Sequence, residues 1–253
     1  MAVQLNVNNF KNLIKRGSVN HVIDNVKLIF TPQLAVSSMR GTDLISCVKV
    51  DNNILTGLKK ADVIDFCFVN PLSNVLPYLE ILRGDNVNVK IEDGYLELAE
   101  PPHTVKISLF HQNVVTPFDS DRQPKIEFFV QFNPDERFAN FIDKTKRVCA
   151  SHGRIYLGTK GGFLYIRAGG AANELTSEIK LNLVETDFEI KSSDGKEIEL
   201  NFNYKSFINM IGLINQDFSV SVAFDDDQDL GLIKAAKGDN GTSSEYYYLM
   251  SRI

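Results

Sequence analysis

The sequence predicts an α+β protein of two similar domains, each built from antiparallel sheets with two helices. Most of the chain consists of short segments with alternating apolar and polar residues, which is typical of half-buried antiparallel strands. Only four stretches have helical periodicity, and two of them fall in each half of the 253 residues. The order of strand, helix and several strands recurs along the chain. We therefore predict a β-α-β-β-β unit that occurs four times.

The clearest strands form hairpins. Residues 87–99 alternate on both sides of Asp93-Gly94, a dipeptide that tolerates the positive φ of a type I′ turn. Residues 154–167 are predicted to form a second hairpin that turns over Gly158–Gly162. The other predicted strands are a third hairpin over residues 187–202 and single strands at residues 103–111, 178–184 and 218–224.

Two helices are predicted in the first half. The first covers Asn8–Arg16 and ends at Gly17, a natural residue to follow a helix. The second begins at Asn70-Pro71 and stops at Arg83-Gly84. Because proline lacks a backbone N–H and clashes with the preceding turn, we expect Pro77 to delay the start of its regular part.

Two more helices are predicted in the second half. The first of these helices has Asn133 as its N-cap and Pro134 at its first helical position. The other covers Asn203–Leu213.

Between the halves, residues 113–125 contain two prolines and little periodicity. We interpret them as a connector between an N-terminal domain, residues 1–112, and a C-terminal domain, residues 126–253.

Composition limits the class of protein. No apolar run approaches the roughly 18 residues of a membrane span, and the first residues do not have the pattern of an export signal. The three cysteines are far apart and set among apolar residues, which is typical of reduced thiols in an intracellular protein. The net charge of −5 argues against a protein that coats nucleic acid with a uniformly basic surface. A negative net charge does not exclude a basic stripe on one face of the protein.

The sequence contains no recognisable catalytic constellation. It has no phosphate-binding GxxxxGK[ST] loop, and its four histidines and three cysteines are not at metal-ligand spacing. The acidic run Asp225–Asp229 is interpreted as a solvated loop between strands. We therefore expect no catalytic residue, no metal and no cofactor, and an enzyme is the least supported class.

Basic residues concentrate on two of the predicted helices. Any amphipathic surface helix needs a polar outer face, so ordinary solvation is the alternative interpretation. Against it, Asp135 and Glu136 stand in the first turn of the third helix, and acids otherwise concentrate on strands and loops. The first candidates for DNA binding are Lys11, Lys15, Arg16, Arg137, Lys144, Lys146 and Arg147. The second group of candidates is Lys59, Lys60, Arg83 and Lys205.

The chain resembles the DNA polymerase sliding clamps, the PCNA-like and T4-like phage processivity factors. The resemblance covers nearly its whole length: two similar domains with two helices each, a connector, and about 250 residues. Local similarities are the tyrosine-rich end Tyr247–Ile253, the segment from Val36 to Ser46, and Ala168–Gly170 followed by Glu178–Leu181. The helix predicted over Asn70–Arg83 departs from the pattern, since Arg83 is its only basic residue.

The resemblance implies a homotrimeric ring of viral or phage origin, without an active site, that encircles duplex DNA. The implied partners are a DNA polymerase, a clamp loader and further copies of the chain, with no membrane partner. The implied location is intracellular, in the cytoplasm of a bacterial host if the chain is phage-encoded. Two alternatives stay open: a monomeric processivity factor of the same fold with an exposed basic face, and a β-rich structural protein of a virus particle.

The resemblance also implies two protein-binding surfaces. Subunit contact would pair the strand at residues 103–111 with the strand at residues 178–184 of the next copy, using Val105, Ile107, Leu109, Ile179, Leu181 and Leu183. A pocket for a hydrophobic partner peptide would be lined by Met39, Leu44, Val115, Pro117, Phe118, Tyr248 and Met250. For all these residues, ordinary packing is the alternative interpretation.

Overall fold

A computed structural model of the chain describes residues 3–92, 94–110, 128–149, 154–160, 163–168, 177–182, 189–190, 198–225, 230–238 and 243–252. The chain divides into two compact units. Unit 1 comprises Met1–Arg122 and Asp239–Glu245, and unit 2 comprises Gln123–Gly238 and Tyr246–Ile253. The predicted connector, residues 113–125, lies outside the described residues.

Unit 1 contains two sets of antiparallel strands with helices between them. Its elements are β1 (Gln4–Asn6), α1 (Val7–Gly17), β2 (Asn25–Phe30), β3 (Leu34–Arg40), β4 (Leu44–Asp51), β5 (Leu55–Thr56), β6 (Ile64–Val69), α2 (Pro71–Asn74), α3 (Leu76–Ile81), β7 (Asn86–Glu92), β8 (Tyr95–Glu100) and β9 (His103–Ser108). One sheet has the order β5-β1-β7-β8-β9, and β4, β3, β2 and β6 follow one another in a second sheet.

Unit 2 repeats this arrangement. Its elements are β10 (Phe128–Phe132), α4 (Glu136–Cys149), β11 (Arg154–Lys160), β12 (Phe163–Ala168), β13 (Ser177–Asn182), β14 (Glu189–Ile190), β15 (Ile198–Asn203), α5 (Tyr204–Ile211), β16 (Ser219–Asp225), β17 (Leu230–Lys237) and β18 (Ser244–Arg252). The first two residues of β18, Ser244 and Glu245, belong to unit 1. A four-stranded sheet has the order β13-β12-β11-β15, and β14, β10, β16, β17 and β18 follow one another in a second. Apart from the two-residue strands β5 and β14, the order confirms a β-α-β-β-β unit that occurs four times.

Helix α1 is anchored by aromatic packing. Phe10 is fully buried, and its ring centroid lies 6.1–6.3 Å from those of Phe30, Phe66 and Phe68. The prediction that Gly17 follows the helix was one residue short, because Gly17 is its last residue. A Cβ on Gly17 would lie 2.1 Å from Ser37 Oγ, so glycine lets the helix end approach β3 closely.

The second predicted helix is broken into two. Helices α2 and α3 are separated by Val75, whose φ of −129° and ψ of −57° depart from helical values. Pro77 lies at the start of α3, in agreement with the expectation that it delays the start of the regular helix.

Three local predictions for unit 2 were wrong. Helix α4 is capped by Asp135, whose Oδ1 accepts the Phe138 backbone N–H at 2.9 Å, instead of by Asn133. Gly158 lies within β11, opposite Tyr165, so the turn does not begin there. Within the described residues, the predicted hairpin over residues 187–202 does not form, because β14 pairs with β10 whereas β15 pairs with β11.

Candidate nucleic-acid interface

Helix α1 carries basic residues and no acidic ones. Lys15 is exposed and Lys11 is half-buried, four residues apart on the side opposite the buried stripe. Asn12 is exposed as well and is uncharged. Because the helix contains no Asp or Glu, no carboxylate on it competes for the two lysines. No ion pair of either lysine occurs within the described part of the chain. Both are therefore available to phosphate groups.

Arg16 on the same helix is held by a carboxylate. Its guanidinium makes a two-point contact with Glu245, with Nε donating to Oε1 at 2.8 Å and Nη2 donating to Oε2. The Glu245 side chain is only 5% exposed and that of Arg16 is 33% exposed. This pairing corrects the assignment of Arg16 to the DNA-binding group, because its charge is used inside unit 1.

The short segment after α1 adds no positive charge at neutral pH. Val19, Asn20 and His21 all have φ between 48° and 68°. Partial burial, together with the nearby Lys15 ammonium, lowers the pKa of His21 below its ordinary value. The imidazole is therefore neutral at pH 7, and the lysines of α1 carry the charge at this end of the helix.

The four basic residues of helix α4 fall into two groups, one that forms ion pairs and one that does not. Arg137 forms an ion pair with Asp135 at 2.7 Å, and Lys146 forms one with Asp143 at 3.1 Å. The other two, Lys144 and Arg147, are exposed, and neither forms an ion pair within the described residues. Lys144 and Arg147 are therefore the stronger DNA-binding candidates on this helix.

The second group of candidates is exposed but spread over the chain. Lys59 and Lys60 lie in the loop between β5 and β6. Arg83 follows α3, which contacts α1, and Lys205 lies on α5, which contacts α4. In each unit, the helix that precedes or carries the second-group candidate therefore packs against the lysine-bearing helix.

Comparison with known proteins identifies the fold. No model of a known family matches the chain, and no curated protein does. PCNA from Thermococcus kodakaraensis matches with a TM-score of 0.66 at 14% identity, over 99% of this chain and 100% of that one. The DNA polymerase III subunit beta from Pseudomonas aeruginosa matches with a TM-score of 0.68 at 15% identity, over 100% of this chain and 67% of that one. The chain has the sliding-clamp fold.

A third clamp, like the P. aeruginosa subunit, is longer than this chain. The beta clamp of Helicobacter pylori matches with a TM-score of 0.65 at 13% identity, over 99% of this chain and 64% of that one. At these identities the likeness extends to the fold alone. The role of each residue therefore depends on its own contacts in this chain.

Three residues predicted to line a peptide pocket of the clamp fold are buried. Met39, Leu44 and Tyr248 are at most 1% exposed, so they belong to the core and offer a peptide no surface. This corrects their assignment. Met250 is half-buried, whereas Val115, Pro117 and Phe118 lie outside the described residues.

Among the described strands, both of those predicted to join clamp subunits lie at the edge of a sheet. Strand β9 ends one sheet of unit 1, and β13 ends the four-stranded sheet of unit 2. On β9, Val105 and Ile107 are at most 5% exposed, so their side chains belong to the core of unit 1, and pairing with a neighbour would use the backbone edge of the strand. Leu109 follows β9 and is half-buried. Ile179 and Leu181 lie on β13, and Leu183 lies outside the described residues.

One cleft of unit 2 is unsuited to phosphate. It has a volume of about 450 Å³ and lies between α4 and the end of α5, where Phe138, Ile142 and Ile211 form its floor. Asp135, Glu136 and Asp143 line it together with Lys146, so its charged lining is mainly acidic. Among the described residues, no three potential metal ligands lie together and no helix is long and apolar enough to cross a membrane.

Proposed function

We propose that the chain is a DNA polymerase processivity factor: a ring-shaped sliding clamp that encircles duplex DNA and tethers the replicative polymerase. The sliding-clamp fold over the whole chain carries the proposal. It is supported by α1, an acid-free helix with Lys11 and Lys15 available, and by Lys144 and Arg147 on α4. Such a protein acts by staying linked to DNA and needs no catalytic residue.

The proposed ring contains three copies. This chain spans all of the T. kodakaraensis PCNA but 67% of the P. aeruginosa subunit. If rings hold equal numbers of domains, a chain two thirds as long needs three copies where the longer one needs two. Three copies carry a net charge of 3 × −5 = −15. An acidic remainder of the surface discourages DNA from binding outside the ring.

The available cations suit sliding better than anchoring. Lysine and arginine attract phosphates whatever the base sequence, and the attraction weakens as salt rises. Base-edge contacts would fix the ring at one site, and sequence-independent phosphate contacts do not. Lys11, Lys15, Lys144 and Arg147 are therefore proposed to face the DNA, with Lys59, Lys60, Arg83 and Lys205 in support.

Partners are proposed to dock through short segments of their chains. A solved structure of A. fulgidus PCNA, which matches this chain with a TM-score of 0.64 at 12% identity, has the C-terminal region of FEN-1 bound. It covers 100% of this chain and 99% of that one. By analogy we propose that a polymerase and a clamp loader bind this chain, with Met250, Val115, Pro117 and Phe118 as the remaining pocket candidates.

Threading on DNA with blockable ends tests the proposal. The protein is mixed with linear duplex carrying one blocked end and one biotinylated end, and streptavidin then closes the second end. A threaded ring is expected to stay on doubly blocked DNA in salt that dissociates direct phosphate binders, and to leave when a nuclease cuts the duplex. Equal loss from blocked and open DNA would contradict the ring. Retention that depends only on salt would indicate the monomeric alternative.

A further inference from the structure

A cleft of unit 2 has an apolar floor and is large enough for a ligand. It lies between α4 and the end of α5, and its volume of about 450 Å³ is within the range of ordinary ligand sites. Phe138, Ile142 and Ile211 form the floor, and the half-buried Ile214 extends it. An apolar side chain placed there would leave water, which is favourable.

Helix α4 turns different sides to the cleft and to the proposed DNA. Lys144 and Arg147, its stronger DNA-binding candidates, each lie one position beyond a cleft residue, about 100° further around the helix. Both acidic residues of α4 are on the cleft side. A ligand in the cleft therefore does not compete with phosphate groups for Lys144 and Arg147. The cleft residues of α4 are three or four positions apart: Glu136, Ala139, Asp143 and Lys146.

The carboxylates of the cleft are only partly neutralised. Asp135 pairs with Arg137 at 2.7 Å, and Asp143 pairs with Lys146 at 3.1 Å. Glu136 is exposed, and no ion pair of its carboxylate occurs within the described part of the chain. A ligand cation beside Glu136 would therefore complement the charge of the cleft.

The two helix ends at the cleft also favour a cation. The amino end of α4 would attract an anion, but the Asp135 carboxylate already occupies it and accepts the Phe138 backbone N–H. Helix α5 presents its other end, because its last residue, Ile211, and the following Gly212 line the cleft. The carbonyl end of a helix carries a partial negative charge. An acidic or phosphorylated ligand is therefore disfavoured.

We infer that the cleft between α4 and α5 binds a short peptide segment of a partner protein, with an apolar side chain on the floor and a flanking lysine or arginine beside Glu136. Asn215 favours a peptide over a simple cation. It lines the cleft, and its Oδ1 accepts the Asp217 backbone N–H at 3.2 Å, so its amide N–H groups can donate to a peptide carbonyl. The inference goes beyond the proposed function and does not depend on a closed ring.

A fluorescent reporter on the rim tests the site. The chain has no tryptophan, so Gln216→Trp places a single indole at an exposed position of the cleft lining. The probes are end-blocked six-residue peptides with two Lys or Arg, two Leu or Ile and two Gly in all orders. Some of these peptides are expected to change the indole emission with saturation below about 1 mM. Val63→Trp, at a side chain of unit 1 that is 69% exposed, is the control and should not respond.

Matched peptides test the chemistry of the occupant. Replacing Lys and Arg by Glu, or Leu and Ile by Ser, should weaken the response at least about tenfold, because the charge or the apolar side chain is lost. No response to any basic peptide, or an equal response to the glutamate peptides, would overturn the inference.

A charge placed on the cleft wall provides a second measurement, in the Gln216→Trp background. Ala139→Arg should weaken binding of the basic peptides at least about tenfold, because it puts a cation where the ligand cation would lie. The fold should be kept, since Ala139 is exposed and arginine favours helices. Asn140→Arg makes the same charge change one exposed position further along and should leave binding unchanged. Equal binding by the two variants would contradict the assignment of the site.

Other occupants would give different results. Spermidine, a small organic cation, is expected to leave the emission unchanged, and a response equal to that of the peptides would assign the cleft to small cations instead. Emission that changes with protein concentration alone would assign it to a second copy of the chain. Either result would overturn the inference.

This inference and the proposed function fail separately. If no peptide binds but the protein threads onto end-blocked DNA, the cleft assignment is wrong and the clamp function stands. If peptides bind as expected but the protein does not thread, the ring is wrong and the peptide site stands.

Discussion

Helices α1 and α4 hold the same place in the repeat of the two units but neutralise their basic residues differently. Helix α1 has no acidic residue, and its Arg16 is paired with Glu245, which lies 229 positions away. Helix α4 neutralises Arg137 and Lys146 through Asp135 and Asp143, which lie two and three residues from them. Basic residues on a helix are therefore a poor measure of available charge, because the partner carboxylate can be local or distant.

The largest expected difference between the two helices is in their anchoring. Phe10→Ala should lower the free energy of unfolding by about 3–5 kcal/mol, the usual cost of removing a fully buried phenylalanine. Phe10 packs against three aromatic rings, so the cavity has several rigid walls. Urea denaturation measures the change.

The matched variant on α4 is Phe141→Ala. Phe141 is 3% exposed, and its ring lies 6.3 Å from that of Phe138. We expect a cost near the lower end of the same range, because fewer rigid rings of the described residues surround the space that it leaves. An equal or larger loss for Phe141→Ala would show that α4 is anchored as firmly as α1.

The next largest effect concerns the distant ion pair of α1. Arg16→Met should cost about 2–3 kcal/mol, because it removes the charge that compensates a buried carboxylate. The value is below that of a fully buried pair because Arg16 is 33% exposed. Arg137→Met, which breaks an exposed pair on α4, should cost under about 0.5 kcal/mol.

A double variant separates the ion pair from simple packing. Arg16→Met/Glu245→Leu should recover most of the stability lost in Arg16→Met, since no buried charge is then left behind. If the double variant is no more stable than Arg16→Met, the loss comes from packing around the arginine stem. Chemical denaturation of all three variants decides between the two.

Sequence reasoning succeeded where the signal is local. The apolar stripes predicted α1 and α4 to within a few residues, because helical periodicity depends only on neighbours three and four positions apart. It failed for Arg16, since nothing near position 16 indicates that Glu245 will lie beside it. The resemblance to sliding clamps wrongly assigned Met39, Leu44 and Tyr248 to a surface pocket, and strand alternation could not correct it, because alternation identifies two faces without saying which is covered.

The hairpin over residues 187–202 shows the same limit for strands. Both segments alternate as strands should, and β14 and β15 do form. Each pairs with a different strand, β10 or β11. Closeness in sequence favours a hairpin, but the buried face that each strand must cover decides its partner.

An intermediate effect should appear in DNA binding. Lys144→Glu/Arg147→Glu should reduce the slope of log affinity against log salt concentration by about 2, as expected for two lost phosphate contacts. Lys11→Glu/Lys15→Glu should reduce it similarly if α1 and α4 both face DNA. Arg16→Met should leave the slope unchanged, because its charge is already paired.

Fluorescence anisotropy over a series of salt concentrations measures these slopes. Lys90→Glu is the control, at a lysine on β7 that is 66% exposed and paired with Glu92. A reduced slope for α4 but not for α1 would assign DNA contact to unit 2 alone. Unchanged slopes for both would mean that the lysines of α1 and α4 are only solvated.

The smallest effect concerns the start of α4. Partial burial would raise the pKa of Asp135, but the Phe138 backbone N–H and the Arg137 guanidinium outweigh it and lower the pKa. A lowered carboxyl pKa adds stability that is complete above the unfolded pKa near 4 and is lost as the pH falls through the folded value. Asp135→Ala should therefore cost about 1 kcal/mol at pH 7, the usual value of a helix cap, and progressively less below pH 4. Asp135→Asn, which keeps an accepting oxygen, should lose much less at pH 7.

Helix α1 is capped by the uncharged Asn6, so Asn6→Ala should show a similar cost that stays constant across that pH range. If Asn6→Ala and Asp135→Ala showed the same pH dependence in denaturation measured between pH 3 and 7, the ionised carboxylate would not be what stabilises α4.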